Sequence, residues 1–171
     1  MERIGFIGIG LMGQRMGKRL LAAGYPLAVW NRSADKCAEL LSLGATLAAD
    51  IGALLAQADI VMLCVSDTAA VEQVVFGSAG VAAYGRSDQL LVDFSNIEPA
   101  ATRDFAARLQ LQCGMHWVDA PVSGGVGGAE SGKLVIMAGG DAADVERLRP
   151  VAAALSQRLT RMGPVGCGQV T

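Results

Sequence analysis

The chain has 171 residues, 52% of them hydrophobic and 18% charged, with a formal net charge of −2. That length supports one domain with a sizeable core, and the near-neutral balance offers no basic patch for nucleic acid or for an anionic membrane surface. So apolar a composition suits strands buried on both faces of a sheet.

Arg3–Ile7 reads as a strand, followed at once by glycines. Leu11, Met12, Met16, Leu20 and Leu21 then recur near the helical period, and Gly24 is a stop signal for that helix. Pro26–Trp30 is a second strand. Ser33 is placed to cap a helix running to about Leu43 and ended by Gly44, and Asp50 to cap a short one reaching Ala58. Asp59–Val65 is a continuous apolar run of the kind a central parallel strand shows, and Thr68–Phe76 reads as helix.

Gln89–Phe94 is another buried strand, and Glu98-Pro99 opens a helix to about Leu111. Met115–Asp119 and Leu134–Ala138 are strands, Asp141–Leu155 a helix, and Arg158–Met162 a last short strand. Strand and helix alternate almost throughout, which predicts an α/β fold: a doubly wound, mostly parallel sheet with helices on both faces. The domain is expected to close near Gly163-Pro164, giving one unit over 1–164 and a connecting segment over 165–171.

The four cysteines form no C-x-x-C pair and there is a single histidine, His116, so no metal site is expected. His116 falls within a strand and reads as a packed core histidine. Unpaired thiols fit a reducing, cytoplasmic setting. The apolar start pairs Glu2 with Arg3 and lacks a cleavage pattern, so it does not read as a signal peptide. No stretch approaches the roughly 20 apolar residues of a membrane span.

Gly8, Gly10 and Gly13 spell G-x-G-x-x-G between a strand and a helix. In that context the motif marks a dinucleotide site of the Rossmann type. Gly8 permits the tight turn, Gly10 lets the backbone approach a pyrophosphate, and Gly13 lets helix pack on strand. Ile9 lies inside the turn, and the N–H groups of Leu11, Met12 and Gly13 are expected to face the phosphates. At the end of the second strand, where NAD enzymes carry Asp or Glu, stands Asn31-Arg32-Ser33. Arg32 can pair with a 2′-phosphate and Asn31 and Ser33 can donate to it, so NADP is expected over NAD. Val65 and Ser66, at the end of the fourth strand, are candidates for the ribose beside the nicotinamide.

These residues resemble the β-hydroxyacid dehydrogenase family, related to 6-phosphogluconate dehydrogenase. G-F-I-G-I-G-L-M-G (Gly5–Gly13) is similar to its N-terminal motif and V-W-N-R-S (Val29–Ser33) to its NADP-preferring branch. V-D-F-S-N-I-E-P (Val92–Pro99) is similar to the segment after its fifth strand, with Asn96 where the family has Thr; the resemblance implies a cofactor contact there. D-A-P-V-S-G-G (Asp119–Gly125), continued by A-E-S-G-K-L-V-I-M-A-G-G (Ala129–Gly140), is similar to the family's substrate loop, which implies that Ser123, Gly124 and Gly125 bind a substrate carboxylate.

The resemblance implies hydride transfer between NADP(H) and a small 3-hydroxy acid or its semialdehyde, of the 3-hydroxyisobutyrate or tartronate semialdehyde kind. It implies a homo-oligomeric parent, with a C-terminal all-helical domain that this chain does not contain. In the family the general acid/base is a lysine that follows a G-x-G after three intervening residues; Gly166-Cys167-Gly168-Gln169-Val170-Thr171 would bring it directly after Thr171, so no catalytic residue is expected within the chain. Two other readings stay open: an imine reductase, which shares the fingerprint and an N-R-T/S turn, and a non-catalytic dinucleotide-binding scaffold.

Overall fold

The computed structural model describes every residue from Met1 to Thr171. Six parallel strands form its centre: β1 (Ile4–Ile7), β2 (Leu27–Trp30), β3 (Thr46–Leu47), β4 (Ile60–Leu63), β5 (Leu90–Asp93) and β6 (His116–Asp119). They lie in the order β3-β2-β1-β4-β5-β6, the order of a Rossmann sheet. β7 (Val122–Ser123) and β6 both pair antiparallel with β8 (Leu134–Gly139), and β9 (Ser156–Gly163) runs parallel to β8.

The central strands read as uninterrupted apolar runs because both faces are covered. Ile4 and Phe6 of β1 point into one core, and Ile7 points into the other. The first core is roofed by α1 (Leu11–Ala22), α2 (Ala38–Ser42), α7 (Gly125–Ser131) and α8 (Ala142–Ala152). The second lies under α3 (Ile51–Ala56), α4 (Thr68–Phe76), α5 (Val81–Tyr84) and α6 (Pro99–Cys113). Met16 and Leu20 are the buried stripe of α1; Leu20 is fully buried, so truncating it to alanine should cost about 2–5 kcal/mol.

Several elements depart from the sequence reading. The helix expected from Ser33 begins as a 3-10 turn (Ala34–Cys37) before α2, and the Ser33 side chain makes no capping bond. Asp50 does cap α3, accepting the Ala53 N–H at 2.7 Å. α8 ends at Ala152, with Pro150 inside its last turn, and β9 takes up the chain from Ser156.

His116 is the clearest correction. It opens β6 with its side chain 39% exposed, and its Nδ1 lies 2.7 Å from an Asp144 carboxylate oxygen. The first residue of a strand sits at the rim of the core, and α8 brings an acid to meet it. A final short helix, α9 (Cys167–Val170), packs against β6, β8 and α6. No helix is long and apolar enough to cross a membrane.

Candidate functional site

At the carboxyl ends of β1, β2 and β4 the structure opens into a cleft of about 1030 Å³. It lies where the strand order reverses between β1 and β4, the place where doubly wound sheets bind ligands. The turn Gly8–Gly13 forms its floor. Gly8 has φ +95°, and a Cβ there would stand 2.1 Å from the Cys64 carbonyl oxygen. A Cβ at Gly13 would meet the Gly8 carbonyl at the same distance, whereas one at Gly10 meets nothing within 4 Å. Two glycines therefore serve close packing of turn, helix and β4. The third keeps the cleft side of the turn clear.

α1 begins at this turn with no acidic residue in its first turn. Its first intrahelical bond runs from Gln14 N–H to the Gly10 carbonyl, and the N–H groups of Leu11, Met12 and Gly13 have no acceptor within the chain. Unsatisfied donors at the positive end of a 12-residue helix are a place for an anion. A dinucleotide pyrophosphate fits this chemistry, and the open side of Gly10 leaves room for it.

Asn31, Arg32 and Lys36 line the β2 end of the cleft. Asn31 is already engaged: its Oδ1 accepts the Ile9 N–H at 2.8 Å and its Nδ2 donates to the Ser33 carbonyl at 2.9 Å. It braces the glycine turn, with one of its two amide N–H groups left over. Arg32 and Lys36 are exposed and make no ion pair within the chain. Lys36 escaped the sequence reading, although its place one helical turn after Arg32 was a signal. Asp50, the only acid on the lining, spends one oxygen on capping α3.

Val65 and Ser66 line the β4 end, next to Cys64. The Val65 N–H donates to the Ser95 hydroxyl at 2.9 Å. Burial pushes the Cys64 thiol up to about 11, with the nearby Asp93 adding to the shift. Ser33, Asn96, Ser123, Gly124 and Gly125 lie outside this lining. Asn96 is exposed in the loop after β5, and Ser123–Gly125 carry the exposed chain from the end of β7 into the start of α7, with Gly124 at φ +123° and Gly125 at φ +60°.

Two buried acids stand side by side at the ends of β5 and β6, where Asp93 pairs in register with Asp119. Asp93 accepts the Ser95 N–H at 2.9 Å through Oδ1, and its Oδ2 has no partner. Burial drives its carboxyl up to about 7, and the charge of Asp119 adds to this. Burial also raises Asp119, but the N–H groups of Gly166 and Gln169 favour its charged form. Sequence reasoning assigned neither acid a role.

The family model for the NAD binding domain of 6-phosphogluconate dehydrogenase matches residues 3–163. The 2-hydroxy-3-oxopropionate reductase of Escherichia coli (strain K12) is 40% identical over 167 residues, covering 98% of this chain and 56% of the relative. The NAD-dependent L-serine dehydrogenase of Pseudomonas aeruginosa is 35% identical over 170 residues, covering 99% and 57%. A solved structure described as Psf3 in complex with NADP+ and 2-OPP superposes with a TM-score of 0.94 at 33% identity, covering 98% of this chain and 59% of that one. An imine reductase variant from Myxococcus stipitatus in complex with NAD+ reaches a TM-score of 0.91 at 25% identity, covering 99% and 58%. The chain thus spans a little over half the length of these relatives. It belongs to the family of NAD-binding domains of 6-phosphogluconate dehydrogenase.

Proposed function

We propose that this chain is the cofactor-binding part of an NADP-dependent oxidoreductase acting on a small 3-hydroxy acid or its semialdehyde. The observation that carries the cofactor reading is the pairing of two features in one cleft. Free N–H groups at the start of α1 await a pyrophosphate, and the unpaired cations Arg32 and Lys36 stand at the β2 end, where a 2′-phosphate would lie. When bound, the cofactor supplies the hydride. The chain's own residues hold and orient it: the glycine turn takes the diphosphate, Arg32 and Lys36 take the 2′-phosphate, and Val65 and Ser66 border the nicotinamide ribose.

The substrate reading rests on the relatives and on the turn at Ser123. The Ser123 hydroxyl and the N–H groups of Gly124 and Gly125 are exposed and bonded to nothing in the chain, a donor set suited to a carboxylate. No side chain of the Ser123 turn is a general acid, so the proton for the substrate oxygen comes, in this reading, from the lysine that the family resemblance implies. The better match to hydroxy-acid enzymes, 40% against 25% for the imine reductase, favours a C–OH substrate over an imine. Four free thiols accord with a reducing compartment.

Calorimetric titration with NADP+ and NAD+ tests the cofactor assignment. NADP+ should bind ~10–100-fold more tightly, since each charge-assisted bond contributes about 1.5–3 kcal/mol. Equal affinities would refute it. Arg32→Ala should remove most of the difference, and adding Lys36→Ala the remainder, with NAD+ affinity changed less than about twofold in either case.

A further inference from the structure

α9 is held by an unusual concentration of bonds for so short an element. The two oxygens of Asp119 accept the Gly166 N–H at 2.7 Å and the Gln169 N–H at 2.9 Å. Close approach makes this possible. A Cβ at Gly139 would stand 2.5 Å from Asp119 Oδ1, and one at Gly168 would stand 2.7 Å from the Asp119 carbonyl oxygen. The Gln169 side chain then reaches forward from this anchored turn. Its Nε2 donates to the Ser95 carbonyl at 2.8 Å, and its Oε1 accepts the Ile97 N–H at 3.3 Å. Ser95 in turn accepts the Val65 N–H through its hydroxyl at 2.9 Å.

The bonds form one chain from Asp119 through Gln169 and Ser95 to Val65, which lines the cleft. They join residues up to 74 positions apart, so no local propensity produces them. In a sheet of this order the adenosine half of a dinucleotide lies toward β2 and the nicotinamide half toward β4 and β5. The network meets the cleft at its β4 side, through Val65.

We infer that Gln169, anchored by Asp119, is a positioning residue for the nicotinamide half of the cofactor. It fixes the Ser95–Ile97 loop, and through Ser95 the backbone at Val65, against the start of α9. The inference rests on the dinucleotide reading of the cleft and adds to it a control point remote from the glycine turn. One consequence is that the direction in which α9 leaves the domain and the geometry of the nicotinamide wall are set by the same side chain.

The test compares NADP+ with 2′,5′-ADP, which carries the adenosine and 2′-phosphate but no nicotinamide. Gln169→Met keeps the length of the side chain and removes both of its hydrogen bonds. It should weaken NADP+ about tenfold, the effect expected of two neutral bonds, while 2′,5′-ADP affinity changes less than about twofold. A residue that merely supports the fold would weaken both ligands alike. Ser95→Ala, which removes the acceptor for the Val65 N–H, should reproduce the selective loss. In that background Gln169→Met should add less than about threefold. Equal loss of both ligands, no loss of either, or additive effects of the two substitutions would overturn the inference while the cofactor reading stands. Failure of the unaltered chain to bind NADP+ would overturn both.

Discussion

The side-chain oxygen of Asn31 accepts the Ile9 N–H at 2.8 Å, so the residue that follows β2 holds the glycine turn that follows β1. Asn31 and its neighbour Arg32 therefore have separable roles. Asn31→Ala removes two hydrogen bonds worth about 1 kcal/mol each and loosens the turn beneath the pyrophosphate. It should weaken NADP+ and NAD+ about equally, by roughly tenfold. Arg32→Ala should weaken NADP+ alone. Calorimetric titration of both variants with both cofactors checks the distinction, and a selective loss in Asn31→Ala would count against it.

Asp93 makes folding stability fall with pH. Its folded carboxyl titrates near 7, above its ordinary value, so the folded chain holds this proton more tightly than the unfolded one. Its stabilising contribution is complete below pH ~4 and is lost as the pH rises to about 7. Asp93→Asn keeps an oxygen for the Ser95 N–H and cannot ionise. It should raise the thermal midpoint at pH 8 by several degrees, leave it nearly unchanged at pH 4, and flatten the slope between. Thermal melts across that range would show it.

Ser123 stands outside the cleft lining, exposed at the end of β7. In the protein extended past Thr171, Ser123→Ala should raise the KM for a small semialdehyde carboxylate by about tenfold. NADPH affinity should change less than about twofold. Steady-state kinetics and a direct NADPH titration separate the two effects; lost NADPH binding would overturn the assignment of this turn to the substrate.

The 171-residue chain alone should bind NADP(H) and show no measurable semialdehyde reduction. The ionisable side chains lining its cleft are Arg32, Lys36, Asp50 and Cys64; in the proposed reading the cations hold a phosphate, Asp50 caps a helix, and Cys64 is a weak acid. Absence of a general acid typically costs ~10²–10⁴-fold in rate. An NADPH oxidation assay comparing the chain with its extended form tests this, and comparable turnover would place the proton donor within these residues.

What the sequence made legible is what depends on local pattern. The alternation of apolar runs and helical stripes carried the sheet, and G-x-G-x-x-G between β1 and α1 located the cleft. The elements it hid have little local signature. β3 is two exposed residues, Thr46 and Leu47, recognisable only by their pairing with β2. α7 draws on G-V-G-G-A-E-S, a poor helix former, and is held by packing on α1 and by the Arg15–Glu130 ion pair. The non-local bonds were likewise invisible. D-A-P-V-S-G-G drew attention to its serine and glycines, whereas Asp119 acts on residues 47 and 50 positions away. Asn31 suggested a phosphate donor; its bonds to Ile9 and Ser33, which brace the glycine turn, carried no local signal.

Cys64 closes β4 and is the only thiol on the cleft wall. Burial raises its pKa to about 11, so it carries very little thiolate near neutral pH. Peroxide and alkylating agents react with thiolates, so this position is chemically quiet. The one thiol bordering the nucleotide cleft is thereby poorly suited to act as a redox switch.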